Sequence, residues 1–154
     1  MSLKKKILLS LTTGFVVIQF IQPAHNTSVQ VLPIDFITMY QPPQQVQQIL
    51  RNSCYDCHSN NTNYPWYSVL QPVAWFMADH INEGKKELNF SEFGSLSLRK
   101  QVSRLKEISD QIDNEEMPIS SYKLIHKNAR LSGSEKKLLI NWLQAKTDSL
   151  TANN

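Results

Sequence analysis

The pentapeptide Cys54-Tyr55-Asp56-Cys57-His58 restricts what this chain can fold around more than any other feature. The chain has only these two cysteines, so no disulfide framework can staple it, and two intervening residues allow at best a strained bridge. Their chemistry is therefore local. C-x-x-C-H is the attachment pattern for c-type haem. In one helical turn the two sulfurs lie close enough to reach both vinyl groups of one porphyrin, and the adjacent histidine projects under the iron. Covalent anchoring would hold the group even in a small, part-exposed pocket. Three other readings compete. A thioredoxin-like redox pair usually sits beside a βαβ pattern, which is absent here. A zinc site that used His58 would still lack a second Cys/His pair. Chance occurrence is the third.

The N-terminus reads as an export signal. Lys4, Lys5 and Lys6 precede Ile7 to Ile21, a run with no charge, as in the n-region and h-region of a secretory signal. The lysines stay on the cytoplasmic side, which puts the bulk of the chain on the exported, periplasmic side. No small-x-small site follows in Gln22-Pro23-Ala24-His25, which favours an uncleaved signal anchor in the membrane through residues 7–21 over a cleaved peptide. Against that, 15 residues fall short of the ~20 that a spanning helix needs. The formal charge of +3 belongs entirely to these lysines; the remainder balances 13 basic against 13 acidic residues. That balance argues against nucleic-acid binding, which calls for a basic face.

The organisation follows as residues 1–24 for the signal or anchor, 25–43 for a linker rich in proline, and 44–150 for one small domain. A helix starts near Gln44, after Pro43, with Val46, Ile49 and Leu50 on one face, and runs into the motif. Asn60, Asn61, Asn63 and Pro65 break it. A second helix spans Pro72 to about Leu88, with a stripe of Val73, Phe76, Met77, His80, Ile81 and Gly84. A third spans about Ser97 to Ile112. Ser132 and Glu135 match a capping box that opens a last helix, with Leu138, Leu139, Trp142 and Leu143 on its buried face. No alternating strand pattern stands out, and the fold class is all-α: a cytochrome-c-like helical domain around one covalently attached haem, preceded by an apolar signal or anchor helix.

Iron in cytochromes c is often held by His and Met. Met117 is the first candidate for the second axial ligand, because Pro118 pushes it into an extended loop between the third and last helices. His80, in the stripe of the second helix, is the runner-up and would lower the potential. Met77 reads as packing. His126 reads as a residue beside the site or at the surface, and His25 belongs to the linker. Tyr64, Trp66 and Tyr67 form an aromatic loop expected to pack against the haem or the core, with a propionate as one polar partner. Trp75 and Trp142 read as core.

The ordered set Cys54-Tyr55-Asp56-Cys57-His58-Ser59-Asn60, Tyr64-Pro65-Trp66-Tyr67, Pro72, Trp75, His80, Gly84, Leu88-Asn89-Phe90-Ser91, Glu116-Met117-Pro118, Tyr122, His126 and Ala129-Arg130-Leu131-Ser132 resembles the bacterial haem-binding domain family of small cytochrome-c-like proteins. The resemblance spans about residues 41–145. It implies a mono-haem c-type fold and supports Met117 near the iron, while His80 and His126 also fall on its pattern. It carries no defined reaction.

Three functions follow as expectations. The first is electron transfer, with six-coordinate iron and an unidentified redox partner protein in the exported compartment. The second is a haem-based sensor or peroxidase-like enzyme with an open distal site, for which His80, His126, Glu115 and Glu116 are the available acid–base groups. The third is a thiol–disulfide protein without haem.

Overall fold

The computed structural model describes residues 2–28 and 30–152, and these are helical with no strand. The helices are α1 (Leu3–Ile18), α2 (Phe36–Tyr40), α3 (Gln44–Ser53), α4 (Tyr55–His58), α5 (Val73–Glu87), α6 (Leu98–Asp113), α7 (Ser120–Ile125) and α8 (Gly133–Ala152). Short 3-10 turns at Trp66–Val69, Phe90–Ser95 and Lys127–Ala129 connect them.

The core forms where the apolar stripes of α3, α6 and α8 meet the Phe90–Ser95 turn. Leu105, Ile108 and Ile112 come from α6, Leu139 and Leu143 from α8, and Val46, Ile49 and Leu50 from α3. These are i, i+3, i+4, i+7 spacings, so each helix buries one side. The start of α8 is the expected capping box: Ser132 N–H donates to Glu135 Oε2 at 2.8 Å, and Glu135 N–H donates to Ser132 Oγ at 3.3 Å.

Part of the expected linker, residues 25–43, is built into this core. Asp35 caps α2, accepting from Ile37 N–H at 3.0 Å and Thr38 N–H at 3.3 Å. The fully buried Phe36 then sits at the centre of an aromatic cluster, edge-on to Phe90, Phe93, Tyr40 and Trp142. Gln41, with φ of 45°, ends the helix in the left-handed region before Pro42 and Pro43. Phe36 and Ile37, from the apolar run Ile34–Met39, therefore belong to the core although they precede residue 44.

Helix α5 has the expected limits but a different orientation. It buries Ala74 and Ile81 and leaves Val73 and Phe76 exposed. Trp75, expected in the core, is part-exposed, and its indole N–H donates to the Ile21 carbonyl at 2.9 Å.

The membrane anchor expected over residues 7–21 finds no support. Helix α1 has 16 residues and carries Lys4–Lys6 in its first turn, and among the described residues no helix is long and apolar enough to cross a membrane. At 1.5 Å per residue it reaches about 24 Å, against a hydrocarbon thickness of ~30 Å.

Candidate cofactor site

Helix α3 ends at Cys54, whose backbone (φ −128°, ψ −44°) kinks the chain into the single turn of α4. The Cys54 carbonyl accepts from both Cys57 N–H at 3.2 Å and His58 N–H at 3.0 Å, so the turn closes on the first cysteine. The two residues between the cysteines fasten it on opposite sides. Tyr55 turns inward, stacked on Phe90 with ring centroids 5.1 Å apart, and its hydroxyl donates to Asp35 at 3.2 Å. Asp56 turns outward and accepts from the Tyr122 hydroxyl at 2.7 Å and from the Asn63 side-chain amide at 3.0 Å. Burial, and then the Asp56 carboxylate, push the Tyr122 phenol well above its ordinary range, so it remains a donor.

Cys54, Cys57 and His58 open onto a cavity of about 650 Å³, within the ~300–1,000 Å³ typical of small-molecule and cofactor sites. Helix α5 adds His80, Glu83, Gly84 and Glu87; α6 adds Arg104, Glu107 and Ile108; the segment after α6 adds Met117, Pro118 and Ile119. Both thiols are free. Burial raises Cys54 to about 12 and Cys57 to about 11, so each is held as the neutral thiol.

His58 is oriented for coordination. Its Nδ1 lies 3.0 Å from the Leu88 carbonyl oxygen. A carbonyl only accepts, so the proton sits on Nδ1 and Nε2 keeps its lone pair, as in most metal-bound histidines. Burial lowers the His58 pKa, with the Leu88 and Gly84 carbonyls opposing, and this favours the neutral imidazole that a metal requires. The absence of a side chain at Gly84 makes room for this arrangement. A Cβ there would lie 3.0 Å from the Cys57 carbonyl oxygen and 3.4 Å from His58 Cε1.

Met117 reaches the same cavity from the loop between α6 and α7, where it is 36% exposed. The loop leaves α6 through a Schellman turn. Glu115 N–H donates to the Ile112 carbonyl at 3.2 Å, and Glu116 N–H to the Gln111 carbonyl at 3.0 Å. Glu115 takes the left-handed position at φ 61°, where glycine is usual, and Lys136 on α8 binds its carboxylate at 3.0 Å. His80 also lines the cavity. Its Nδ1 lies 2.9 Å from the Phe76 carbonyl, which likewise leaves Nε2 with its lone pair.

The aromatic loop is placed elsewhere. None of Tyr64, Trp66 and Tyr67 lines the cavity. Tyr64 stacks on His25 at 4.2 Å and its hydroxyl accepts from Asn26 N–H at 2.7 Å. Trp66 is 80% exposed. The Tyr67 hydroxyl lies 2.6 Å from His126 Nε2. Tyr64 and Tyr67 thus hold the 60s loop against residues 25–26 and against His126 at the end of α7.

The residues present fit a haem. Ser53 Oγ, which lines the cavity, is buried with no hydrogen-bond partner within the protein, and so awaits a polar atom from a bound group. Two Nε2 acceptors, two free thiols and a thioether at the same cavity form a donor set suited to iron porphyrin. Arg104 is the one Lys or Arg among the lining residues, and its guanidinium pairs with Glu107 at the same wall.

Taken together, fold and site define an all-helical cofactor-binding domain whose cavity is entered by a C-x-x-C-H turn. The chain belongs to the haem-binding domain family, whose model matches residues 13–145, and it is a haem-binding protein. No curated protein and no solved structure matches it.

Proposed function

We propose that the chain is an exported, mono-haem c-type protein that transfers electrons, with thioether bonds to Cys54 and Cys57 and axial ligands His58 and Met117. The observation that carries this reading is the placement of both thiols, a neutral His58 with Nε2 available, and Met117 around one cavity. Bound haem would supply one-electron ferrous/ferric chemistry. The chain's part would be to hold His58 through Leu88, to exclude water with Phe90, Ile108 and Leu131, and to bring Met117 to the same cavity. Lys4–Lys6 and the apolar α1 support export and location on the periplasmic side, where an as yet unidentified redox protein would be the partner.

The test is the visible spectrum of the full chain produced with a c-haem maturation system. We expect haem that resists extraction by acidified organic solvent, a low-spin spectrum in both oxidation states, and the far-red ferric band that methionine ligation gives. Extractable haem would remove the covalent attachment. A high-spin ferric spectrum with rapid cyanide binding would favour the sensor or peroxidase-like reading with an open distal site. His80 supports one variant of the proposal, a bis-histidine centre, since it shares the cavity and keeps its Nε2 lone pair.

A further inference from the structure

Two long stretches of the sequence hold no Asp, Glu, Lys or Arg: residues 7–34 and residues 57–78. The fold fastens them to each other. The Gln71 side chain, only 2% exposed, donates from Nε2 to the Ile21 carbonyl at 2.7 Å. Its backbone N–H donates to Gln19 Oε1 at 3.0 Å, and Gln22 Nε2 donates to the Val69 carbonyl at 2.9 Å. With the Trp75 indole on Ile21, these hydrogen bonds hold the exit of α1 against residues 69–75. The polar side chains of Gln19, Gln22, Gln71 and Trp75 are thus engaged within the protein.

What remains facing outward is apolar. Phe20 is 84% exposed and Trp66 80%, with Ile21, Val69, Val73 and Phe76 also exposed between the exit of α1 and the middle of α5. Helix α1 continues this surface: no residue of it is buried, and beyond Lys4–Lys6 it carries no charge and mostly apolar side chains. A helix apolar all round belongs in a protein core or in lipid, and this one has no core around it. Exposed patches of this kind mark an interaction surface. The charge pattern selects the occupant. Neither charge-free stretch supplies a charge to this surface, the three lysines that open α1 suit anionic headgroups, and tryptophan is favoured at the level where hydrocarbon meets water.

We propose that the surface formed by Phe20, Ile21, Trp66, Val69, Val73 and Phe76 rests on a lipid bilayer, continuous with α1. The domain itself, and not only its N-terminal helix, makes the membrane contact. Helix α1 alone is shorter than the hydrocarbon layer, and the apolar shelf at its exit adds buried area where the helix ends. The cavity, bounded on one side by α5, is then held at a fixed height above the membrane. This inference stands on surface composition and does not depend on how haem is ligated.

The test is flotation of the full-length holoprotein with phosphatidylcholine vesicles, with and without a minority of phosphatidylglycerol. The double variant Trp66→Ser/Phe76→Ser removes two exposed side chains, and its unchanged haem absorption would report intact folding. We expect it to bind both kinds of vesicle at least about tenfold more weakly, as loss of two buried aromatic side chains implies. Lipids brominated near the headgroup should quench tryptophan emission in the wild type, and Trp66→Phe should abolish most of that quenching. Equal binding of wild type and double variant would mean that α1 alone engages lipid and would overturn the proposal. So would concentration-dependent self-association lost in the double variant without vesicle binding, which would assign the face to a second copy of the chain.

Discussion

Gly84 lies so close beneath the C-x-x-C-H turn that its missing Cβ would come within 3.0 Å of the Cys57 carbonyl oxygen. The contact is with backbone, which cannot rotate away. Gly84→Ala gains about 1 kcal/mol of helix propensity but adds overpacking of about 1–3 kcal/mol. We expect a net loss of roughly 1 kcal/mol, read as a lower denaturation midpoint. Gly84→Val should cost more and alter the haem spectrum, because the bulk also meets the His58 ring. A midpoint that rises with alanine would show that α4 and α5 separate freely.

The Tyr122–Asp56 hydrogen bond ties α7 to the turn that carries the cysteines. Tyr122→Phe removes a donor to a carboxylate, a bond of about 1.5–3 kcal/mol. Urea titration should show a loss near the lower bound, since Asp56 keeps its bonds to Asn63. The double variant Tyr122→Phe/Asp56→Asn should be less destabilised than the sum of the singles, a sign of direct coupling.

Met117 and His80 can be separated by spectroscopy. Met117→Ala should abolish the far-red ferric band and produce a high-spin form that binds cyanide. His80→Ala should leave that band in place. The opposite pattern would assign the second ligand to His80 and with it a lower potential.

Tyr40 gives a dependence on pH. Its phenol packs against Phe36 and Phe93, donates to Gln101 Oε1 at 2.6 Å, and is raised by burial from 10.0 to about 12. The folded state therefore prefers the neutral form. Its contribution is present in full below pH 10 and fades as the pH climbs toward 12. In Tyr40→Phe the denaturation midpoint should fall less steeply across that interval than in the wild type.

The sequence made legible what is decided locally. Pro43 before α3, the Ser132–Glu135 box and the stripe of α6 are patterns within a few residues, and the helices stand where those patterns put them. The family and the cavity wall of Cys54, Cys57 and His58 were legible for the same reason. Long-range outcomes were not. The five residues of α2 lie among prolines, and their place in the core depends on Phe90 and Phe93, more than 50 positions away. Tyr64, Trp66 and Tyr67 follow the motif closely, yet proximity in sequence did not bring them to the cavity; the Asn-rich break turns the chain toward residues 25–26. Asp56 stands between the two cysteines, but its partner Tyr122 is 66 positions away, beyond the reach of a local pattern.

The two ligand candidates are held with unequal stiffness. His58 is gripped by Leu88, by the close approach of Gly84 and by the edge of Phe90. Met117 rides on residues 114–119, a loop hinged at the left-handed Glu115. Were iron held between them as proposed, the histidine side would be the stiffer of the two. Relaxation that followed a change in its charge would then fall mainly on residues 114–119, which the Glu115–Lys136 pair joins to α8.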